Sequence, residues 1–261
     1  MVSCMKQKLS LGAVVISLLS LFLIIFSIIP LSTAQPEQGQ SAFSFVTQWG
    51  SEGSGPGQFM GQNDVDPFKN LVYVADYENH RIQVFDSNGT FVTSWGSEGT
   101  GDGQIDKASA LTVDPNGNIY LVDQFNFRVQ KFDHNGNFVT KWGTEGQGDG
   151  QFLHPHVAAV DSKGNVYVTD RDRANVQKFT NDGQFITKWG SEGEADGQVS
   201  AVESIVADSD DNIYLADFGN NRIQKFTNDG QFMTKWGTEG IGEGNLWALQ
   251  VLLLIQTIIS M

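Results

Sequence analysis

The chain has 261 residues, with 30 Asp and Glu against 16 Lys and Arg, for a formal net charge of −14. Such a surface repels phosphate backbones and excludes a general nucleic-acid binder. The single cysteine, Cys4, leaves the folded part without a disulfide framework, a thiol nucleophile or a zinc site built on cysteine.

Lys6 and Lys8 precede a mostly apolar run from Leu9 to Ile29, and "PLSTAQPEQGQ" follows. Basic, apolar and small residues in that order match an export signal, with "STA" before Gln35 as the cleavage site. The run also approaches the ~20 residues that span a bilayer. Residues 1–34 are therefore expected to be a cleaved signal peptide or an uncleaved membrane anchor, and the only membrane contact. Everything after Gln35 is expected outside the cytoplasm, secreted or held at the cell surface. Residues 35–42 read as a polar linker.

From there tryptophan sets the organisation. Trp49, Trp95, Trp142, Trp189 and Trp236 recur every 46 or 47 residues, each followed by Gly, within phrases such as "VTSWGSEGTGDGQI" and "VTKWGTEGQGDGQF". A fixed period of this size marks an array of supersecondary units. Within a period, short runs rich in Val, Ile, Tyr and Phe are bounded by Asn, Asp and Gly, as in "ALTVD", "NIYLVD", "RVQKFD" and "NFVTKWG". The junctions "SNG", "PNG", "HNG", "SKG" and "NDG" tolerate the positive φ of tight hairpins. Each period is thus predicted to be a four-stranded antiparallel meander, strands a to d. One such sheet cannot bury both faces, but sheets set around an axis cover one another. The predicted fold is all-β, a β-propeller.

Repeats are expected near 59–96, 105–143, 152–190 and 199–237, within a propeller segment 43–244. "FSFVTQWG" (43–50) is a d strand without its a, b and c. The stretches "NLVYVADYENHRIQVF", "NIYLVDQFNFRVQKF", "NVYVTDRDRANVQKF" and "NIYLADFGNNRIQKF" resemble NHL repeats. That resemblance implies a ring, usually of six blades, closed by pairing an N-terminal d strand with C-terminal a, b and c. The visible set is an incomplete ring of four blades and an orphan strand. Instead of a fifth blade the chain ends in "NLWALQVLLLIQTIISM". Read one base out of frame, codons for its last residues spell "GIAVDSDDNIYV", which shares "DSDDNIY" with residues 208–214. Residues 245–261 are expected to be a frameshift product that truncates the propeller. Gln250 and Gln256 interrupt the run as a membrane helix.

The most motif-like feature is "D-x-x-N-x-R": Asp76, Asn79 and Arg81; Asp123, Asn126 and Arg128; Asp217, Asn220 and Arg222. Repetition in every blade suits structural ion pairs rather than catalysis. The third repeat keeps Asp170 but has Arg173 and Asn175 in the Asn and Arg places, so the arginine contact there is open. Trp95, Trp142, Trp189 and Trp236, with Phe85, Phe132, Phe179 and Phe226, are expected to pack between blades. The acidic glycine-rich loops do not fit the twelve-residue calcium loop, although pooled loop carboxylates remain a calcium alternative. "FLHPHVAAVD" places His154 and His156 before a channel-lining strand, with Ser109 and Glu203 at the positions equivalent to His156. His156, Glu203 and His154 are the candidate zinc ligands, short of the usual full set on one level. The peptidyl-hydroxyglycine amidating lyases, which the repeat also resembles, hold a metal with histidines from successive blades.

Two functions follow. The favoured one is an exported, non-catalytic scaffold that binds a protein or peptide through loops at one end and needs no cofactor. The other is a metal-dependent lyase or hydrolase, of the amidating lyase or lactonase type, working in the central channel with zinc or calcium.

Overall fold

The computed structural model describes residues 47–238, together with a two-residue antiparallel ladder between Met5–Lys6 and Val14–Val15. Apart from that ladder, the leader or anchor, the linker, the start of the orphan strand and the apolar tail lie outside the described residues.

Four meanders form as the repeat predicts. Blade 1 comprises strands a Gln62–Phe68, b Leu71–Asp76, c Arg81–Asp86 and d Phe91–Trp95. Blade 2 has Ala108–Val113, Ile119–Asp123, Arg128–Phe132 and Phe138–Trp142. Blade 3 has Pro155–Val160, Val166–Asp170, Asn175–Phe179 and Phe185–Trp189. Blade 4 has Val202–Ala207, Ile213–Asp217, Arg222–Phe226 and Phe232–Trp236. Within each blade the strands pair in sequence order, and strand a lies against strand a of the next blade. The a strands therefore line the axis and the d strands form the rim. No helix among the described residues is long and apolar enough to cross a membrane.

Turn chemistry explains the meander. Between a and b of blade 2, the Asp114 carboxylate accepts hydrogen bonds from the backbone N–H groups of Asn116 and Asn118, both at 2.9 Å. This is a local side-chain substitute for a backbone turn. Asp161 and Asp208 do the same in blades 3 and 4. Blade 1 differs. Lys69, at φ 55°, and Asn70 make a two-residue turn, so Asp66 stays inside strand a opposite Tyr73. Its carboxylate accepts the N–H of Val113, and that of Asp64 accepts the N–H of Leu111, which ties the first two a strands together.

The blades are joined by one repeated contact. Trp49, Trp95, Trp142 and Trp189 lie on Phe85, Phe132, Phe179 and Phe226 of the following blade, with ring centroids 5.8–6.3 Å apart. Each indole also covers a glycine of that blade's c–d turn. A Cβ on Gly89, Gly136, Gly183 or Gly230 would sit 2.5–2.6 Å from the indole ring. Tyr, Val, Ile and Leu from both sides complete three inter-blade cores. Each large apolar side chain buried there contributes ~1.5–3 kcal/mol. Trp236 is the exception: it touches Tyr214 of its own blade, and no following blade exists among the described residues.

Candidate ligand-binding site at the b–c end of the axis

Antiparallel order puts the start of strand a, the b–c turn and the glycine-rich d–a loop at one end of every blade. The D-x-x-N-x-R motif builds that end. In blade 2 the buried Asp123 carboxylate accepts from Arg128 Nε (2.6 Å), Asn126 Nδ2 (2.9 Å), Gln130 Nε2 (3.0 Å) and the Asp106 N–H (2.7 Å). Arg128 continues to the carbonyls of Thr100, Gly101 and Gln104 and so fixes the glycine-rich loop. The Asp76–Asn79–Arg81 and Asp217–Asn220–Arg222 sets repeat the arrangement. Blade 3 answers the open question in an unexpected way. Arg173, from the Asn place, reaches the matching carbonyls of Gln147, Gly148 and Gln151, but it makes no bond to Asp170.

On this frame stand the histidines. His156 is the second residue of strand a of blade 3, and its Nε2 lies 3.1 Å from Glu203 Oε2 at the equivalent place of blade 4. Arg171, from the b–c turn, holds the other oxygen of Glu203 at 3.2 Å. Ser109 Oγ donates to the carbonyl of His156 at 2.8 Å, so the equivalent positions of blades 2, 3 and 4 are joined in one line. His154 turns aside, with Nδ1 3.3 Å from Asp172 and its ring 6.3 Å from that of His156. His80 closes the b–c turn of blade 1, and His134 lies in a c–d turn at the opposite end.

Burial alone would raise the Glu203 carboxyl. The hydrogen bond from His156 and the charges of His156, Arg171 and His154 outweigh it and hold the group below the usual range. With Nε2 turned to Glu203, the lone pair of a neutral His156 sits on Nδ1, which is buried without a hydrogen-bond partner among the described residues. Three or more His, Cys, Asp or Glu side chains in metal-holding geometry are not found among the described residues. His156 and Glu203 meet as a hydrogen-bonded pair, with His154 directed to Asp172.

Sequence reading passed over Arg171, Phe125 and Phe218. The signal lay in the differences between repeats. After "GQF", "GQI" or "GQV" the blades read Met60–Gly61–Gln62–Asn63, Asp106–Lys107–Ala108–Ser109, Leu153–His154–Pro155–His156 and Ser200–Ala201–Val202–Glu203. The b–c turns open with Tyr77–Glu78, Gln124–Phe125, Arg171–Asp172 and Phe218–Gly219. Strands b, c and d repeat closely from blade to blade, so those strands do not require these choices. They also contact one another across blades: Tyr77 OH donates to Gln124 Oε1 at 3.2 Å, and Lys107 pairs with Glu78. Phe125 and Phe218, in the b–c turns of blades 2 and 4, stand 55% and 39% exposed at the same end.

The model of the NHL repeat matches residues 66–85, 152–179 and 202–226. The chain carries NHL repeats. Those three stretches fall on NHL blades 1, 3 and 4, and blade 2 has the same four strands and the same Asp–Asn–Arg set. None of the curated proteins matches the chain in sequence. Among solved structures it is similar to a streptogramin B lyase, at 18% identity and TM-score 0.52, covering 67% of this chain and 54% of that one. A catalytically inactive virginiamycin B lyase from Staphylococcus aureus with quinupristin has 15% identity and TM-score 0.54, covering 73% and 58%. A putative exported protein from Bacteroides fragilis has 16% identity and TM-score 0.52, covering 70% and 51%. The NHL chain thus spans between half and three-fifths of these structures, and likeness at such identities shows the propeller fold alone.

Proposed function

We propose that this protein is an exported NHL-repeat scaffold that binds a protein or peptide, without catalysis, at the b–c end of its blades. The observation that carries the reading is that the b–c turns and the starts of the a strands differ from blade to blade at that end. Exposed Phe125 and Phe218 share that end with paired polar and charged groups from all four blades. Aromatic anchors inside a polar rim are how interfaces bind strongly. Residues 1–34 direct export in this reading and are its only membrane contact, and the similar fold of a Bacteroides fragilis protein described as a putative exported protein is consistent with it.

Selection from a displayed peptide library tests it. Peptides selected on the protein should lose at least tenfold in affinity to a Phe125→Asp, Phe218→Asp double variant. They should bind normally to Val139→Asp, which alters an exposed valine on a rim strand. Equal loss in both variants, or no selectable peptide, would sink the reading.

A second reading rests on His156, whose imidazole is oriented by Glu203 and could serve as a base toward a bound substrate. Turnover would then be abolished by His156→Ala. The metal-dependent version further requires zinc or calcium to co-purify and to be lost with Glu203→Ala; metal-free protein would count against it.

A further inference from the structure

Blade 3 breaks the pattern of its neighbours at a buried charge. In blades 1, 2 and 4 the strand-b aspartate faces an arginine across the b–c ladder, with Nε–Oδ2 distances of 2.8, 2.6 and 2.7 Å. In blade 3 the ladder partner of Asp170 is Asn175. Asp170 is 1% exposed and Asn175 8%. The carboxylate accepts only two backbone N–H groups, those of Leu153 at 2.8 Å and His154 at 3.1 Å. No side-chain donor reaches it among the described residues: Arg173 is committed to loop carbonyls, and Gln177 donates to Gln151 O alone. Asn175 Oδ1 is buried with no hydrogen-bond partner. A buried carboxylate without a counter-charge, beside an unpartnered acceptor, is an expensive arrangement for a folded protein.

We propose that blade 3 holds one small monovalent cation, of the sodium class, between the Asp170 carboxylate and the Asn175 amide oxygen, where the other blades place the arginine Nε. The chemistry matches on two counts. Both groups are hard oxygen donors, which suit alkali and alkaline-earth ions rather than zinc or copper. One carboxylate calls for one positive charge, the same charge that arginine brings in the other three blades. The site also has a consequence for its surroundings. The backbone groups on Asp170 belong to Leu153 and His154, so a cation there steadies the segment that carries His154 and His156.

Thermal unfolding of the full chain tests this, in NaCl against tetramethylammonium chloride at equal ionic strength. The expected result is a saturable rise in Tm on the order of a few degrees in NaCl. The double variant Arg173→Asn with Asn175→Arg restores the residue order of the other blades and should abolish the difference while remaining folded. Asp170→Asn should abolish it as well. Equal Tm in the two salts would overturn the proposal, and would mean that the Asn175 amide turns to donate to Asp170 instead. A sodium preference that survives the double variant would also overturn it, by placing the ion elsewhere. Stabilisation by CaCl2 with none by NaCl would overturn the single-charge match.

Discussion

Asp123 and Arg128 show what one repeated residue pair does. Burial pushes the Asp123 carboxyl up, against the hydrogen bonds from Asp106, Asn126 and Arg128 and the arginine charge. Removing the arginine leaves that carboxyl buried without its cation, so Arg128→Ala should cost about 3–5 kcal/mol in urea unfolding. Arg173→Ala removes bonds to loop carbonyls only and should cost about 1 kcal/mol. Similar losses would mean that the loop contact, not the ion pair, carries the energy. Two other carboxylates give the molecule a pH dependence of definite sign. Burial raises Asp64 to about 6 and Asp66 to about 7, while backbone N–H groups from blade 2 pull the other way. A carboxyl raised in the folded state binds its proton more tightly there than in the unfolded chain. Its contribution is full below its ordinary value of 3.8 and is lost as pH climbs toward 7. Glu203 runs oppositely: its contribution is present above the ordinary 4.5 and is lost as pH falls through its lowered value. Tm should therefore decline between about pH 4 and pH 7, and the Asp64→Asn, Asp66→Asn variant should flatten that decline. An unchanged slope would show that these two groups do not drive it.

At the scale of the strand and turn, the joint between blades rests on a glycine. Gly136 has φ 83°, and a Cβ there would lie 2.6 Å from Trp95. Gly136→Ala therefore meets both a left-handed backbone and an indole. It should destabilise by more than the ~1–2 kcal/mol of the backbone alone, measured as a shift in urea midpoint at constant m-value. The same turns show what could be read in advance. The Trp–Gly period, the alternating apolar runs and the Asn-Gly or Asp-Gly junctions identify four meanders and their stacking, because hairpin geometry and face burial are local demands on residue type. Blade 1 escapes that logic. "VDPFKN" looks like "VDPNGN", yet its turn closes at Lys69 and Asn70, and Asp66 is carried two positions inward, to the place of Thr112, to serve the neighbouring strand. The pairing of His156 with Glu203 was accessible, since they are equivalent positions in adjacent blades. Arg171, which completes the pair, was not. It comes from the b–c turn, and only the three-dimensional end of the blade brings that turn over strand a.

Across the molecule, stability should follow position along the array. Blades 2 and 3 are packed on both sides, whereas blade 4 is packed on one among the described residues, and in such arrays neighbours supply much of each unit's stability. Amide exchange should accordingly be faster in strands b and c of blade 4 than in the same strands of blades 2 and 3. Trp142→Ala, between two blades, should cost about 3–5 kcal/mol, and Trp236→Ala clearly less. Equal costs would show that the flank of blade 4 is as well covered as an interior joint. The Trp-on-Gly joint has one more consequence. Because the Trp-on-Phe-and-Gly contact is the same at every joint, that contact is interchangeable. Excising one whole period between blades 1 and 3 would bring Trp95 onto Gly183 and Phe179, the partners that Trp142 now has. A cut of any other length would set the indole against the wrong turn. The chain can thus change length cheaply in whole blades and only at heavy cost in fractions of one, as a ratchet advances by teeth.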